Sequence, residues 1–220
     1  VQHAHAGVAV LRLYDFLPSG NCYKVRLLLK QLGVPFERID VDILAGKSRT
    51  PAFLGKNANG RVPVLETDDG RTLAESNAIL WYLAETVPEG SRYLPTDRYE
   101  RAQVLQWMFF EQYSHEPYIA TIRFWITELG KEQEYRDEIA KRRVNGVAAL
   151  GVMERTLAAS PFFVADRYSL ADIALYAYTH VAHEGRFDLQ PFPAVRAWIG
   201  RVAALPGHIP ITDPCRPERA

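Results

Sequence analysis

A few short groups of residues have the types and spacing that chemistry needs. Arg61-Val62-Pro63-Val64-Leu65 reads as a strand interrupted by proline. Pro63 has no N–H for a sheet ladder, so it demands an edge strand or a special backbone geometry. Only an X-Pro bond adopts cis at low cost, and a cis Val62–Pro63 bond would turn the chain so that Val62 presents its N–H and C=O outward. Downstream, Leu73-Ala-Glu-Ser-Asn-Ala-Ile79 places Glu75 and Ser76 at the opening of an apolar-periodic helix. Free N–H groups and the positive dipole end attract an anion there. One half-site offers backbone to a peptide and the other a pocket for a carboxylate. Together they suit a small acidic peptide.

The elements that must position these groups follow from periodicity. Val8–Tyr14 is short and mostly apolar, a buried strand, and Pro18-Ser19-Gly20-Asn21 is a turn. Val25, Leu28, Leu29 and Leu32 then recur at helical spacing, ending at Gly33, a C-cap ahead of Pro35. Arg38–Ile43 alternates as a half-buried strand, which makes a parallel βαβ unit with what precedes it. Residues 44–60 are irregular, with a short helix near Pro51–Lys56. Val62–Glu66 and Thr72–Leu73 flank the turn Asp68-Asp69-Gly70. A helix from Glu75 to about Glu85 closes a βαβαββα domain. Residues 87–95, with two prolines and a glycine, read as a linker.

Beyond the linker the periodicity is helical: Asp97–Leu129, kinked at Pro117, then Gln133–Ala159, Leu170–His183 and Phe192–Leu205. Ser169-Leu-Ala-Asp172 fits a capping box ahead of an apolar run, so Asp172 is read as a capping carboxylate rather than a catalytic one. The fold expected is an α/β domain followed by an all-α domain, at residues 8–86 and 96–210.

The bulk numbers exclude several classes. Lys+Arg and Asp+Glu both total 26 in 220 residues, so no net field recruits nucleic acid or an anionic membrane. No apolar run reaches the roughly 18–20 residues of a membrane span. Residues 1–10 make a poor signal peptide, and residues 1–7 are set aside from the fold. Cys22 and Cys215 lie far apart, without a Cys-x-x-Cys pair or metal-ligand spacing; two free thiols fit a reducing cytoplasm.

Asn59-Gly-Arg-Val-Pro-Val-Leu65 and Leu73-Ala-Glu-Ser-Asn-Ala-Ile79, taken with Ser19-Gly20-Asn21-Cys22-Tyr23-Lys24-Val25-Arg26, resemble the cytosolic glutathione transferases, in particular bacterial members with serine at the activating position and some likeness to the Nu, Theta and Zeta types. The resemblance runs from about Val10 to Pro210. It implies a thioredoxin-like glutathione-binding domain, an all-helical domain, a homodimer, glutathione as co-substrate with no further cofactor and no metal, and a cytoplasmic detoxifying transferase. The chemical task is to ionise a thiol whose free pKa is about 8.5. Lowering it by roughly two units takes about 2.7 kcal/mol of preferential thiolate stabilisation. A hydrogen bond to a charged group contributes roughly 1.5–3 kcal/mol and a helix N-terminus about 0.3–1. One hydroxyl at a helix start therefore suffices. Ser19 stands where the family places its activating residue, as donor to the thiolate and not as nucleophile. Its bland reading is a helix cap.

Asn21 offers a second donor or an ordinary cap. Members that pair Ser or Thr with Asn at this offset carry out peroxide or disulfide chemistry, so conjugation and reduction both stay open. By resemblance Glu75 holds the γ-glutamyl ammonium, Ser76 its carboxylate and Val62-Pro63 the cysteinyl backbone; Lys47 is either a point charge for the glycyl carboxylate or an ordinary solvated lysine. Tyr113 and Tyr118, around Pro117, are assigned to the pocket for a hydrophobic electrophile. Cys22 is read as packing ahead of a redox role, Tyr14 as strand packing, and His115 as a partner in the helix bend. A non-catalytic ligand-binding protein of the same fold is the remaining alternative.

Overall fold

The computed structural model describes residues 11–215. One compact unit takes the chain up to Ile79 together with the segment from Pro210 onward; the other runs Leu80–Ile209. In the first, β1 (Leu11–Asp15), α1 (Gly20–Leu32), β2 (Phe36–Asp40), α2 (Pro51–Leu54), β3 (Val64–Glu66), β4 (Thr72–Ala74) and α3 (Ser76–Thr86, running on into the second unit) follow one another. Of the first expected strand, Val8–Val10 lie outside the described residues. The sheet order is β2-β1-β3-β4, with β1 parallel to β2 and antiparallel to β3, and β3 antiparallel to β4. β3 is thus an inner strand. Pro63 lies just before it, outside the ladder, and the Val62–Pro63 bond is cis.

α1 ends where Gly33 takes φ 67°, its N–H returning to Leu29 and Lys30 carbonyls. Its residues 22–29 are all buried, so its polar members Lys24 and Arg26 have no solvent to turn to. β2 begins and ends earlier than the alternation predicts. The Asp42 carboxylate accepts from Leu44 and Ala45 N–H, both at 3.0 Å, which starts a turn and pulls Val41–Ile43 out of the strand. Alternating strand faces divide the sheet's duties. Leu13 and Asp15 face α1, while Tyr14 meets Phe53 of α2 edge-on at 6.1 Å between ring centroids.

The second unit is helical. A 3-10 turn at Pro88–Tyr93 leads to α4 (Arg98–Phe110), a π-turn (Glu111–His115), α5 (Glu116–Thr127), α6 (Arg136–Leu157), α7 (Leu170–Thr179) and α8 (Pro193–Ala203). The interruption expected at Pro117 is the π-turn ahead of it. Pro117 sits in the first turn of α5, where its missing N–H costs little. α7 is buried along its whole length. The capping box at its start is formed: the Asp172 carboxylate accepts from Ser169 N at 2.9 Å, Phe163 N at 3.3 Å and Trp198 Nε1 at 2.9 Å. His115 is buried against Thr179 at 2.9 Å. The Thr179 hydroxyl donates to Leu175 O at 2.6 Å, so His115 Nε2 carries the proton, a bend partner as expected.

Candidate functional site

The first side chain of the site is held by backbone. Ser19 N donates to Phe16 O at 2.8 Å, and Ser19 takes extended dihedrals (φ −72°, ψ 122°) as N-cap of α1. Its Oγ accepts from Cys22 N at 3.3 Å. That bond uses a lone pair and leaves the hydroxyl proton free to donate, so capping and thiolate donation are compatible in one residue. The preceding loop is pinned by Arg26, which donates to Leu17 O at 2.9 Å and to Ile211 O at 2.8 Å. Its other arm lies 2.5 Å from the buried Asp15 carboxylate, which also pairs with Arg38.

The second cluster forms where α1 meets the start of α3. Ser76 Oγ donates to Asn21 Oδ1 at 3.3 Å and accepts from Lys24 Nζ at 3.3 Å. Lys24 is fully buried and also reaches Asn77 Oδ1 at 3.5 Å. Glu75 precedes the helix in the left-handed region at φ 68°, exposed, with its carbonyl accepting from Ile79 N at 2.9 Å. A non-glycine residue held there is strained, and such residues gather at ligand clamps. Val62 packs on the cluster of Val41, Phe53 and Val64. The loop before it is tied by Asn57 Nδ2 to Arg61 O at 2.8 Å and Arg49 to Asn59 O at 2.9 Å.

Residues 18–86 match the family model described as glutathione S-transferase, N-terminal domain, and residues 106–206 match the corresponding C-terminal domain. A glutathione S-transferase structure from Pseudomonas fluorescens superimposes with a TM-score of 0.89 at 51% identity, covering 93% of this chain and 100% of that one. The chain belongs to the glutathione S-transferase family. Among curated relatives of this chain, glutathione S-transferase D7 of Anopheles gambiae is 32% identical over 89% of this chain and 88% of its own length. Disulfide-bond oxidoreductase YfcG of Escherichia coli is 29% identical over 87% and 89%. The chain accordingly combines a thioredoxin-like domain with an all-helical domain, the fold of this family.

Within this family member the predicted residues separate into groups. Asn21 and Ser76 are in contact, Ser19 caps the same helix that carries Asn21, and Glu75 adjoins Ser76. Lys47 is exposed in a 3-10 turn, Lys47–Arg49. It lines a cleft of about 430 Å³ with Tyr14, Val41, Thr50, Phe53 and Lys56, whose lining includes none of Ser19, Asn21, Glu75 and Ser76. Tyr14 is strand packing with its hydroxyl donating to Glu66 at 2.9 Å. Lys56, Tyr14 and Arg12 hold the Glu66 carboxyl down to about 2. Cys22 is fully buried, accepts from Phe16 N at 3.4 Å, and its thiol is pushed far up by burial, so it is no thiolate nucleophile at neutral pH. Cys215 is pushed up to about 11, again by burial. Tyr113 projects from the π-turn and is 83% exposed; Tyr118 is half-buried on α5.

Lys24 and Arg26 are the residues that sequence reasoning passed over. They were legible only as charges inside an apolar-periodic helix, where a solvated face is the ordinary reading. The signal that separates them from such a face is that the residues around them leave no polar side to α1. Among the described residues no helix is long and apolar enough to cross a membrane.

Proposed function

We propose that this chain conjugates the glutathione thiolate to a small hydrophobic electrophile. The observation that carries the reading is Ser19: its oxygen is occupied as a cap while its proton remains to give. The α1 N-terminus adds its dipole. A charged hydrogen bond of roughly 1.5–3 kcal/mol and a dipole of about 0.3–1 bring the thiol down by roughly two units. No general base, metal or further cofactor has to act. Glu75 takes the γ-glutamyl ammonium, Ser76 and the first N–H groups of α3 take its carboxylate, and Val62 with Pro63 aligns the cysteinyl backbone. Lys47 serves the glycyl carboxylate as a point charge from its exposed turn. In this reading residues 8–86 bind glutathione. Residues 96–210 bind the electrophile, with Tyr113 and Tyr118 in its pocket, and 87–95 link the two.

A second reading, reduction of a peroxide or mixed disulfide by the same thiolate, is favoured by the position of Asn21 beside Ser76 and by the name of the Escherichia coli relative. The protein is taken to work as a cytoplasmic homodimer. The deciding experiment is a pH titration of thiolate ultraviolet absorbance with glutathione bound, followed by assays on an aryl halide, a hydroperoxide and a mixed disulfide. A bound thiol pKa well below the free value is expected, with turnover of the aryl halide. Saturable binding with an unshifted pKa would leave only a ligand-binding protein.

A further inference from the structure

Ser19 can give its proton to a thiolate only if the loop that carries it keeps the hydroxyl in place, and that loop has no strand or helix of its own. Residues 16–19 link β1 to α1, closed into a turn by Ser19 N donating to Phe16 O at 2.8 Å. The cap bond from Cys22 N to Ser19 Oγ is long at 3.3 Å, and it engages the side chain rather than the backbone. What holds the backbone comes from two side chains of α1 one turn apart. Cys22 Sγ accepts from Phe16 N at 3.4 Å, and Arg26 Nη2 donates to Leu17 O at 2.9 Å. Successive loop residues are thus clipped to one face of the helix that Ser19 caps.

The Leu17 carbonyl is the point of greatest leverage. Peptide planarity carries its orientation to Pro18 N, and the pyrrolidine ring fixes the next φ. Between Leu17 O and Ser19 N only the ψ of Pro18 is left to turn. The guanidinium that grips this carbonyl is itself fixed. Its Nη1 lies 2.5 Å from Asp15 Oδ1, with neither side chain exposed, and Nη2 also donates to Ile211 O at 2.8 Å. Ile211 stands in a turn that Asp213 N closes on Pro210 O at 3.0 Å. One planar fork therefore references the Ser19 loop to the end of β1 and to a segment 185 residues further along the chain.

We propose that Arg26 is a positioning residue for thiol activation: its fork on Leu17 O holds the loop so that the Ser19 hydroxyl meets the glutathione sulfur. The inference rests on the role proposed for Ser19 and adds the residue through which the fold sets it. Arg26 is fully buried, so it acts through the loop and not on the ligand. Misplacing a catalytic group by about 1 Å is enough to slow a reaction severely, even when the cause lies away from the chemistry.

Two simpler roles predict other results. A guanidinium that only stabilises the fold would change Tm and leave the thiol of bound glutathione alone. One that acts on the thiolate by its charge would be replaced by lysine, and its effect would persist without the Ser19 hydroxyl. Lysine offers Asp15 a charge but has no planar fork to span a carboxylate and two carbonyls.

The test titrates the thiol of saturating glutathione by ultraviolet absorbance on the wild type, Arg26→Lys, Ser19→Ala and the double variant, each well below its own Tm. Arg26→Lys should raise the bound thiol pKa by roughly one unit, with glutathione Kd changed by less than about threefold. In the Ser19→Ala background the same lysine should add nothing, because the two residues act as one unit. Where the lysine variant is not recovered folded, Asp15→Leu with Arg26→Met removes the fork without leaving an unpaired carboxylate, and it is compared with and without Ser19→Ala in the same way. An unshifted thiol in the Arg26 variant, or a shift as large without the Ser19 hydroxyl as with it, overturns the positioning role and leaves an activated thiol intact. A wild-type thiol that is not lowered on binding, or one that Ser19→Ala does not raise, instead overturns the role of Ser19 beneath it.

Discussion

Arg26 Nη1 lies 2.5 Å from Asp15 Oδ1, and neither side chain has any exposed surface. The same guanidinium reaches Leu17 O and Ile211 O, so one residue ties the end of β1, the loop ahead of Ser19 and the returning C-terminal segment together. Removing Arg26 leaves the buried Asp15 paired with Arg38 alone and takes a donor from Leu17 O and Ile211 O, at the lower end of the about 3–5 kcal/mol that breaking a buried pair costs, whereas replacing both Arg26 and Asp15 by apolar groups costs less. Arg26→Met is expected to lower Tm by roughly 10 °C. Asp15→Leu combined with Arg26→Met should recover part of that loss. Thermal unfolding of the two variants checks it, and a double variant less stable than the single would contradict the assignment.

Ser19→Ala removes the cap acceptor and the proposed thiolate donor together, but the two losses appear in different measurements. The cap contributes about 1 kcal/mol to stability. The donor contributes roughly 1.5–3 kcal/mol to the thiolate, equivalent to a tenfold to hundredfold fall in kcat. Glutathione affinity should change little, because the peptide is held elsewhere. Steady-state kinetics with an aryl halide would show the split, and a variant with weaker binding and unchanged kcat would refute the role given to Ser19.

Many of the elements were legible because their signals are local. Gly33 stops α1, Asp69-Gly70 turns the hairpin, and Ser169-Asp172 caps α7; each acts through backbone geometry within a few residues. β2 was displaced because alternation through Ile43 looked like strand, while the Asp42 carboxylate, a competing local signal, was already bending the chain. Proline is the visible breaker, so the sequence alone points to Pro117 for the break in the long helix. The π-turn at Glu111–His115 owes its form to packing such as His115 on Thr179, a contact 64 residues apart that no window reveals. For the site, the residue types at Ser19, Asn21, Glu75 and Ser76 pointed to their chemistry. That Asn21 and Ser76 touch could not be read, since it depends on how two helices with separate periodicities approach.

Glu66 gives the sheet a pH signature. Its carboxyl is held down to about 2 by the Lys56, Tyr14 and Arg12 donors, below the ordinary value of about 4.3. The unfolded chain then binds the proton more readily, so the contribution is present above the ordinary value and is lost as pH falls toward 2. Glu66→Gln should therefore be less stable than wild type at neutral pH, and the difference in Tm should shrink as pH is lowered through that interval. A difference that stays constant from neutral pH down to 3 would show that the charge on Glu66 is not what its three donors stabilise.

Glu75 offers the sharpest trade of stability against binding. Its φ of 68° is comfortable for glycine and strained for an L-residue by about 1–2 kcal/mol, partly offset by the greater freedom of glycine in the unfolded chain. Glu75→Gly should leave Tm unchanged or raise it by a few degrees. It also deletes the carboxylate proposed for the γ-glutamyl ammonium, a charged contact of roughly 1.5–3 kcal/mol, so glutathione Kd should rise by about tenfold or more. Glu75→Ala keeps the left-handed backbone and loses the same carboxylate. It should therefore weaken glutathione equally while staying below Glu75→Gly in Tm. Calorimetric binding and thermal unfolding of both variants separate the two effects. Full glutathione affinity in either variant would mean that the strained residue serves the backbone alone, and that the ammonium is recognised by another group.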